Sequence, residues 1–203
     1  LILAPHTDDG ELGCGGSIAR FIEEGKNVFY AAFSTAEKSV DSQLPNNILE
    51  IEVKAATKKL GIKRENLFIY NNEVRKLNYI RQEILEELIK LKKKIDPDII
   101  FMPSINDIHQ DHSTVAREGL RAFKDRTILG YELIWNNITF NTSTFIILQH
   151  NHVQSKVDAL QEYKSQKDKA YMSQDFVFSL AKSRGVQIGK EYAECFEVIR
   201  WVI

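Results

Sequence analysis

The chain predicts a single α/β domain, a mostly parallel sheet with helices on both faces. Three observations carry this. Short apolar runs alternate with longer segments whose apolar residues recur at helical spacing. Glycine or proline punctuates most of the changes, at Gly25, Gly61 and Pro97. Dense polar clusters follow the first and fourth apolar runs directly, as they do where ligands bind beyond the carboxyl ends of parallel strands.

Leu1 to Ala4 reads as a short buried strand, and opening inside a strand leads us to expect residues upstream. Ser17 to Glu24 reads as a helix ended by Gly25, and Asn27 to Phe33 as the second strand. Ile48 to Leu60 is helical and stops at Gly61; Asn66 to Tyr70 is the third strand. Tyr79 to Ile95 is a long amphipathic helix whose buried face is Ile80, Ile84, Leu85, Leu88 and Leu91. Asp98 to Met102 follows Pro97 as the fourth strand, and Ser113 to Phe123 is a helix with Ser113 as its expected cap. Together these segments have the βαβ rhythm of a sheet covered on both faces. The last third reads as strands Ile128 to Trp135 and Thr144 to Leu148, helices about His152 to Lys164 and Gln166 to Arg184, and a strand from about Cys195 to Val202. No repeat or linker divides the 203 residues, a length that suits one core.

Composition excludes several classes. The 27 Lys+Arg against 28 Asp+Glu leave a net charge of -1, so no broad field gathers nucleic acid or anionic membrane. Lys90 to Lys94 closes a helical pattern, where basic residues favour the helix dipole. The two cysteines, Cys14 and Cys195, are distant and form no CxxC, so neither a disulfide framework nor a thiolate zinc knuckle is expected. Cys14 lies at a glycine-rich helix start, where packing is its expected role. No apolar run approaches the roughly 20 residues that span a bilayer, and no signal peptide is visible, so the expected location is the cytoplasm.

The first polar cluster is His6-Thr7-Asp8-Asp9 and the second His109-Gln110-Asp111-His112. If strand order reverses between the first and fourth strands, both loops open into one crevice. Imidazole and carboxylate without thiolate suit Zn²⁺ or a similar first-row ion such as Fe²⁺ or Co²⁺. His6, Asp9 and His112 make a His₂Asp set that leaves a position for water. Two adjacent carboxylates cannot both reach one ion easily from a tight loop, which leaves one, Asp8 or Asp9, as a base. His109 is placed to assist an oxyanion or a leaving group, and Asp111 to orient an imidazole. The segment Gly13-Cys14-Gly15-Gly16 lacks the GxGxxG spacing of a dinucleotide loop, and close helix packing explains it better.

These residues resemble the PIG-L, or LmbE-like, family of zinc-dependent N-deacetylases, whose hallmarks are (P/A)HPDD with a glycine-rich helix start and, later, HxDH. Supporting similarity lies in Lys59-Leu60-Gly61, Pro97-Asp98, Ser165-Gln166, Arg184-Gly185 and Tyr192 to Phe196. The resemblance implies a Rossmann-like fold and hydrolysis of an N-acetyl group on a glucosamine-type sugar. It implies His6, Asp9 and His112 as zinc ligands, Asp8 as general base, and His109, with Asp111 beside it, as the residue that stabilises the tetrahedral intermediate. Thr7 stands where the family has proline, and Gly10 where many members have glutamate. Leu49 stands where many have an arginine three residues before the glutamate matched by Glu52, with Arg75 or Arg81 as possible replacements.

Substrate contacts are expected from Ser34 and Glu37 after the second strand, from Arg81, and from Trp135 and Asn136, an aromatic ring beside amides suited to a sugar. The expected partner is an N-acetylated sugar or sugar nucleotide. Strand edges and the aromatic loop Phe140 to Phe145 leave room for a homo-oligomer. Rival readings are a metallohydrolase of another amide or ester, a carbohydrate-binding module with a vestigial site, and nucleotide binding through the glycines.

Overall fold

A computed structural model describes residues 1–203. Seven strands form one sheet: β1 (Ile2–Ala4), β2 (Tyr30–Ala32), β3 (Leu67–Ile69), β4 (Ile99–Pro103), β5 (Thr127–Tyr131), β6 (Thr144–Leu148) and β7 (Tyr192–Arg200). Six helices accompany them: α1 (Asp9–Glu23), α2 (Ile48–Lys59), α3 (Arg81–Ile95), α4 (Gln110–Ala122), α5 (His150–Leu160) and α6 (Gln174–Gln187). The sheet order is β3-β2-β1-β4-β5-β7-β6. The first five strands in that order run parallel, and β7 lies antiparallel between β5 and β6. The mostly parallel, doubly covered sheet expected from the sequence is therefore present.

Alternation along the strands splits the core. Ile2, Ala4, Tyr30, Ala32, Phe101 and Tyr131 face one way, toward α1, α2, α5 and α6. Leu1, Leu3, Ala31, Phe33, Ile100 and Met102 face the other way, toward α3 and α4. Because β1 sits between β2 and β4, strand order reverses there, and the loops leaving β1 and β4 emerge side by side.

Several boundaries differ from the sequence reading. α1 begins at Asp9 rather than Ser17, so the charged motif is its first turn, and it kinks at Cys14 (φ −147°, ψ 24°). Glycine lets the helix lie against the sheet: a Cβ on Gly13 would stand 2.3 Å from the Tyr131 ring, and one on Gly10 2.4 Å from Tyr30. The α4 cap is His109, whose Nδ1 accepts from Asp111 N, and Ser113 lies one turn inside. β5 stops at Tyr131 because Leu133 turns the chain: its carbonyl accepts from Asn136 N and Asn137 N. The expected helix from Gln166 is replaced by short 3₁₀ turns at Lys164–Gln166 and Ala170–Met172; α6 starts only where the Ser173 hydroxyl accepts from Phe176 N. No helix is long and apolar enough to cross a membrane.

A buried ion pair fixes the kink. Lys156 of α5 donates from Nζ to Leu12 O and to Glu194 Oε1, each at 2.7 Å. Glu194 of β7 also accepts from Gly16 N, Ser17 N and Ser17 Oγ. Every oxygen of that carboxylate is occupied by a donor, so burial leaves it with partners.

Candidate metal centre

His6 and Asp9 stand at the end of β1 and the start of α1; His109 and His112 stand at the cap and first turn of α4. Their side chains meet. His6 Nδ1 lies 3.2 Å from Asp9 Oδ2, His112 Nε2 lies 3.2 Å from the same oxygen, and the two ring nitrogens lie 3.2 Å apart. Tetrahedral donors about 2.0–2.1 Å from one cation stand about 3.3–3.4 Å apart, so the spacing fits such an ion.

The surrounding carboxylates favour one tautomer of each neutral ring. His6 Nε2 lies 3.0 Å from Asp111 Oδ2, and His112 Nδ1 lies 2.7 Å from Asp107 Oδ2. Each neutral ring donates outward to a carboxylate, which leaves His6 Nδ1 and His112 Nε2 as lone pairs facing Asp9. Three electron-rich atoms in contact need a positive charge among them. With no ion, protons meet that need. Burial opposes charge on His6, but Asp9 and the bond to Asp111 outweigh it and raise the group to about 9. His112, likewise opposed by burial, is raised to about 10 by Asp9 and Asp107. Asp9 is held well below the usual carboxylate range by His112 and His6 in spite of its burial. The donor set fits a divalent cation in place of those protons.

His109 also brings a nitrogen within 4.8 Å of His6 and His112 donor atoms. Its Nδ1 lone pair, however, accepts from Asp111 N at 3.2 Å. The hydrogen then sits on Nε2, which makes His109 a hydrogen-bond donor through that atom. Burial and the neighbouring imidazoles push His109 down to about 4, so it is neutral near pH 7. Asp8 makes no side-chain hydrogen bond at the helix start; burial, then the charge of Asp9, raises it to about 6. Asp111 is buried and accepts from Arg75 N (2.6 Å) and Leu77 N (3.1 Å) as well as pairing with His6. The loop after β3 is thereby tied to the cluster.

His6, Asp8, Asp9, His109 and His112 line a cavity of about 350 Å³. Trp135 and Asn136 line it, and so do Arg75, Leu49, Lys169 and Tyr171. Trp135 stacks on Tyr171 with ring centroids 4.0 Å apart. The other expected substrate contacts lie elsewhere. Ser34 is fully buried, donating to Asn72 O and accepting from Ala36 N. Glu37 is absent from the cavity wall, where Ala36 and Ser39 stand instead. Arg81 is held by Glu118, a buried carboxylate shared with Arg121. Cys14 donates to Gly10 O, and burial pushes its thiol well up, a packing role.

Asp107 escaped the sequence reading. Its Oδ1 accepts from His109 N at 2.8 Å while Oδ2 faces His112. The available signal was a carboxylate two residues before His109. Glu11 also escaped it: the fully buried carboxyl meets Tyr30 Oη and Tyr163 Oη, and both hydroxyls also reach Thr7 O. Burial raises Glu11 to about 8. This knot pins the loop that carries His6 and Asp8 from beneath.

Known proteins resemble the chain throughout. The deacetylase YaiS of Escherichia coli K12, itself described as uncharacterized, is 28% identical over 170 residues, 81% of this chain and 90% of that protein. The N,N'-diacetylchitobiose deacetylase of Pyrococcus horikoshii superposes with a TM-score of 0.81 at 21% identity, covering 98% of this chain and 82% of that one. The 4-carboxy-2-hydroxymuconate hydratase GalB of Pseudomonas putida KT2440 shares the fold, with a TM-score of 0.79 at 15% identity over 100% of this chain and 96% of that one. The sequence pattern of the GlcNAc-PI de-N-acetylases matches residues 1–123. The chain belongs to that PIG-L family of deacetylases.

Proposed function

We propose that the protein hydrolyses the acetamide of an N-acetylated amino sugar or sugar conjugate of the N-acetylglucosamine type, with His6, Asp9 and His112 holding Zn²⁺ or a similar divalent ion. One observation carries this: two imidazole nitrogens and a carboxylate converge at 3.2 Å, beside Asp8, whose carboxylate caps no helix N–H. A cation held there supplies Lewis acidity to a water and to the amide oxygen.

The chain's own residues do the rest. Asp8 borders the cavity without a protein partner and takes the proton of the attacking water. His109 donates its Nε2 hydrogen to the amide oxygen as negative charge develops there, a donor held in place by Asp111 N. Asp8 then returns its proton to the departing nitrogen, so water and amide become acetic acid and amine, which leave as acetate and the ammonium form. Asp111 and Asp107 orient His6 and His112. The Trp135–Tyr171 stack offers an apolar wall for a sugar face, and Asn136 beside it offers an amide for hydroxyls.

A hydratase shares the fold, so the fold alone does not select the reaction; family membership and the Asp8–His109 arrangement favour amide hydrolysis. Both cysteines are free and buried, in keeping with a cytoplasmic setting. The test is acetate release by zinc-loaded protein from a panel of N-acetylated sugars, sugar nucleotides and thioglycosides. Asp8→Asn should remove turnover and leave metal content intact. Full activity in that variant would refute the base assignment, and no acetate from any member would refute the deacetylase reading.

A further inference from the structure

A salt bridge is inserted into the break of α1. An unbroken helix would bond Gly16 N to Leu12 O and Ser17 N to Gly13 O. At Cys14 the backbone leaves the helical region (φ −147°, ψ 24°), and side chains take both ends of the first bond. Lys156 Nζ donates to Leu12 O at 2.7 Å, and Glu194 Oε1 accepts from Gly16 N at 3.0 Å. Lys156 Nζ and Glu194 Oε1 lie 2.7 Å apart, so the pair stands inside the helix bond that it replaces. Glu194 Oε2 takes Ser17 N and Ser17 Oγ, each at 2.7 Å. A Cβ on Gly15 would stand 2.8 Å from Lys156 Cγ, so this approach needs glycine there.

Both charged residues are 6% exposed, and burying two charges is unfavourable unless their partners are good. A straight helix would satisfy the same backbone groups with no charge at all. It would not, however, aim its first turn independently of the rest. That turn begins at Asp9, whose Oδ2 accepts from His6 N at 2.8 Å and lies 3.2 Å from both His6 Nδ1 and His112 Nε2. The break therefore separates the turn that carries a candidate metal ligand from the part of α1 that packs under β6 and β7.

We infer that Lys156 and Glu194 are positioning residues for the metal centre: inserted between Leu12 O and Gly16 N, they hold the break that aims Asp9 at His6 and His112. Neither bonds to a ligand; both act through the backbone of α1. This deepens the metal reading above and rests on it.

Lys156→Met with Glu194→Leu removes the pair without leaving a lone buried charge. Zinc affinity of the folded double variant, read by chelator competition, should fall about tenfold or more. Leu88→Ala, at a fully buried site on the opposite face of the sheet, lowers stability away from α1 and should bind zinc as wild type does. A crystal structure of the metal-free double variant gives a second readout that needs no metal. There α1 should run regularly through Cys14, with Gly16 N on Leu12 O and Asp9 drawn away from His112. Affinity within about twofold of wild type, an equal loss in Leu88→Ala, or a break at Cys14 that survives in the double variant would overturn the proposal. If the double variant does not fold, Glu194→Gln, which keeps the shape and one acceptor, should show a smaller loss of affinity, and no loss would overturn the proposal. No zinc bound by wild type, with α1 straightened and Asp9 displaced in the variant, would sink the metal reading and leave the aiming of Asp9 standing.

Discussion

Removing the Asp107 carboxylate should weaken metal binding without touching a ligand. Asp107 makes two contacts, a buried one from Oδ2 to His112 Nδ1 at 2.7 Å and a partly buried one from Oδ1 to His109 N at 2.8 Å. The His112 ring is 3% exposed and the carboxylate 1%, so water does not readily replace either partner. In Asp107→Ala, His112 loses both the bond that fixes its tautomer and the charge that makes Nε2 more basic. Losses of this kind cost about 10–100-fold in metal affinity, or about 1.4–2.7 kcal/mol. The orphaned buried N–H of His112 adds a loss of about 1–3 kcal/mol in fold stability, a fall of about 2–12 °C in Tm for a chain of this size. Zinc affinity would be read by competition with a chromophoric chelator, and Tm in the metal-free state. Asp107→Asn, which keeps an acceptor but not the charge, should fall between. Zinc affinity within twofold of wild type in Asp107→Ala would refute the orienting role, even if the protein melts earlier.

Other consequences concern the scaffold. Glu194→Ala strips Lys156 of its carboxylate and should cost about 3–5 kcal/mol, whereas Lys156→Met with Glu194→Leu should cost less than the sum of the singles; additive losses in thermal melts would contradict the coupling. Thr7 Oγ1 is buried without a partner, so Thr7→Val should leave Tm unchanged or raise it, and a loss above about 1 kcal/mol would mean that the hydroxyl is engaged. Burial pushes Cys195 up to about 11 and Cys14 well above its ordinary value, and reaction needs the thiolate. Neither thiol should react with a disulfide reagent in native protein at pH 8 on the timescale on which both react in denaturant; rapid native labelling would contradict their burial.

Much of the fold was legible because apolar alternation and glycine or proline stops are local signals. The helix starts were not. At Asp9 the charged motif is itself the first turn, and at His109 an imidazole nitrogen does what a serine usually does, so Ser113 drew the cap by residue type alone. The two polar clusters could be brought together in advance because β1 and β4 are neighbours. Which side chain faces the cavity could not be read. Ser34 spends its hydroxyl on Asn72 O, and Arg81 turns to Glu118, a partner that stands 37 residues away. The Lys156–Glu194 pair could not be read in advance, because its members stand 38 residues apart and meet only through the packing of α5 against α1.

Anomalous diffraction at the zinc edge, from crystals grown with zinc, tests the centre most directly. The expected result is one strong peak per chain within about 2.0–2.2 Å of His6 Nδ1, an Asp9 oxygen and His112 Nε2, with Asp8 beside it and outside bonding distance. A peak coordinated by other residues, or no peak in protein that releases acetate, would contradict it.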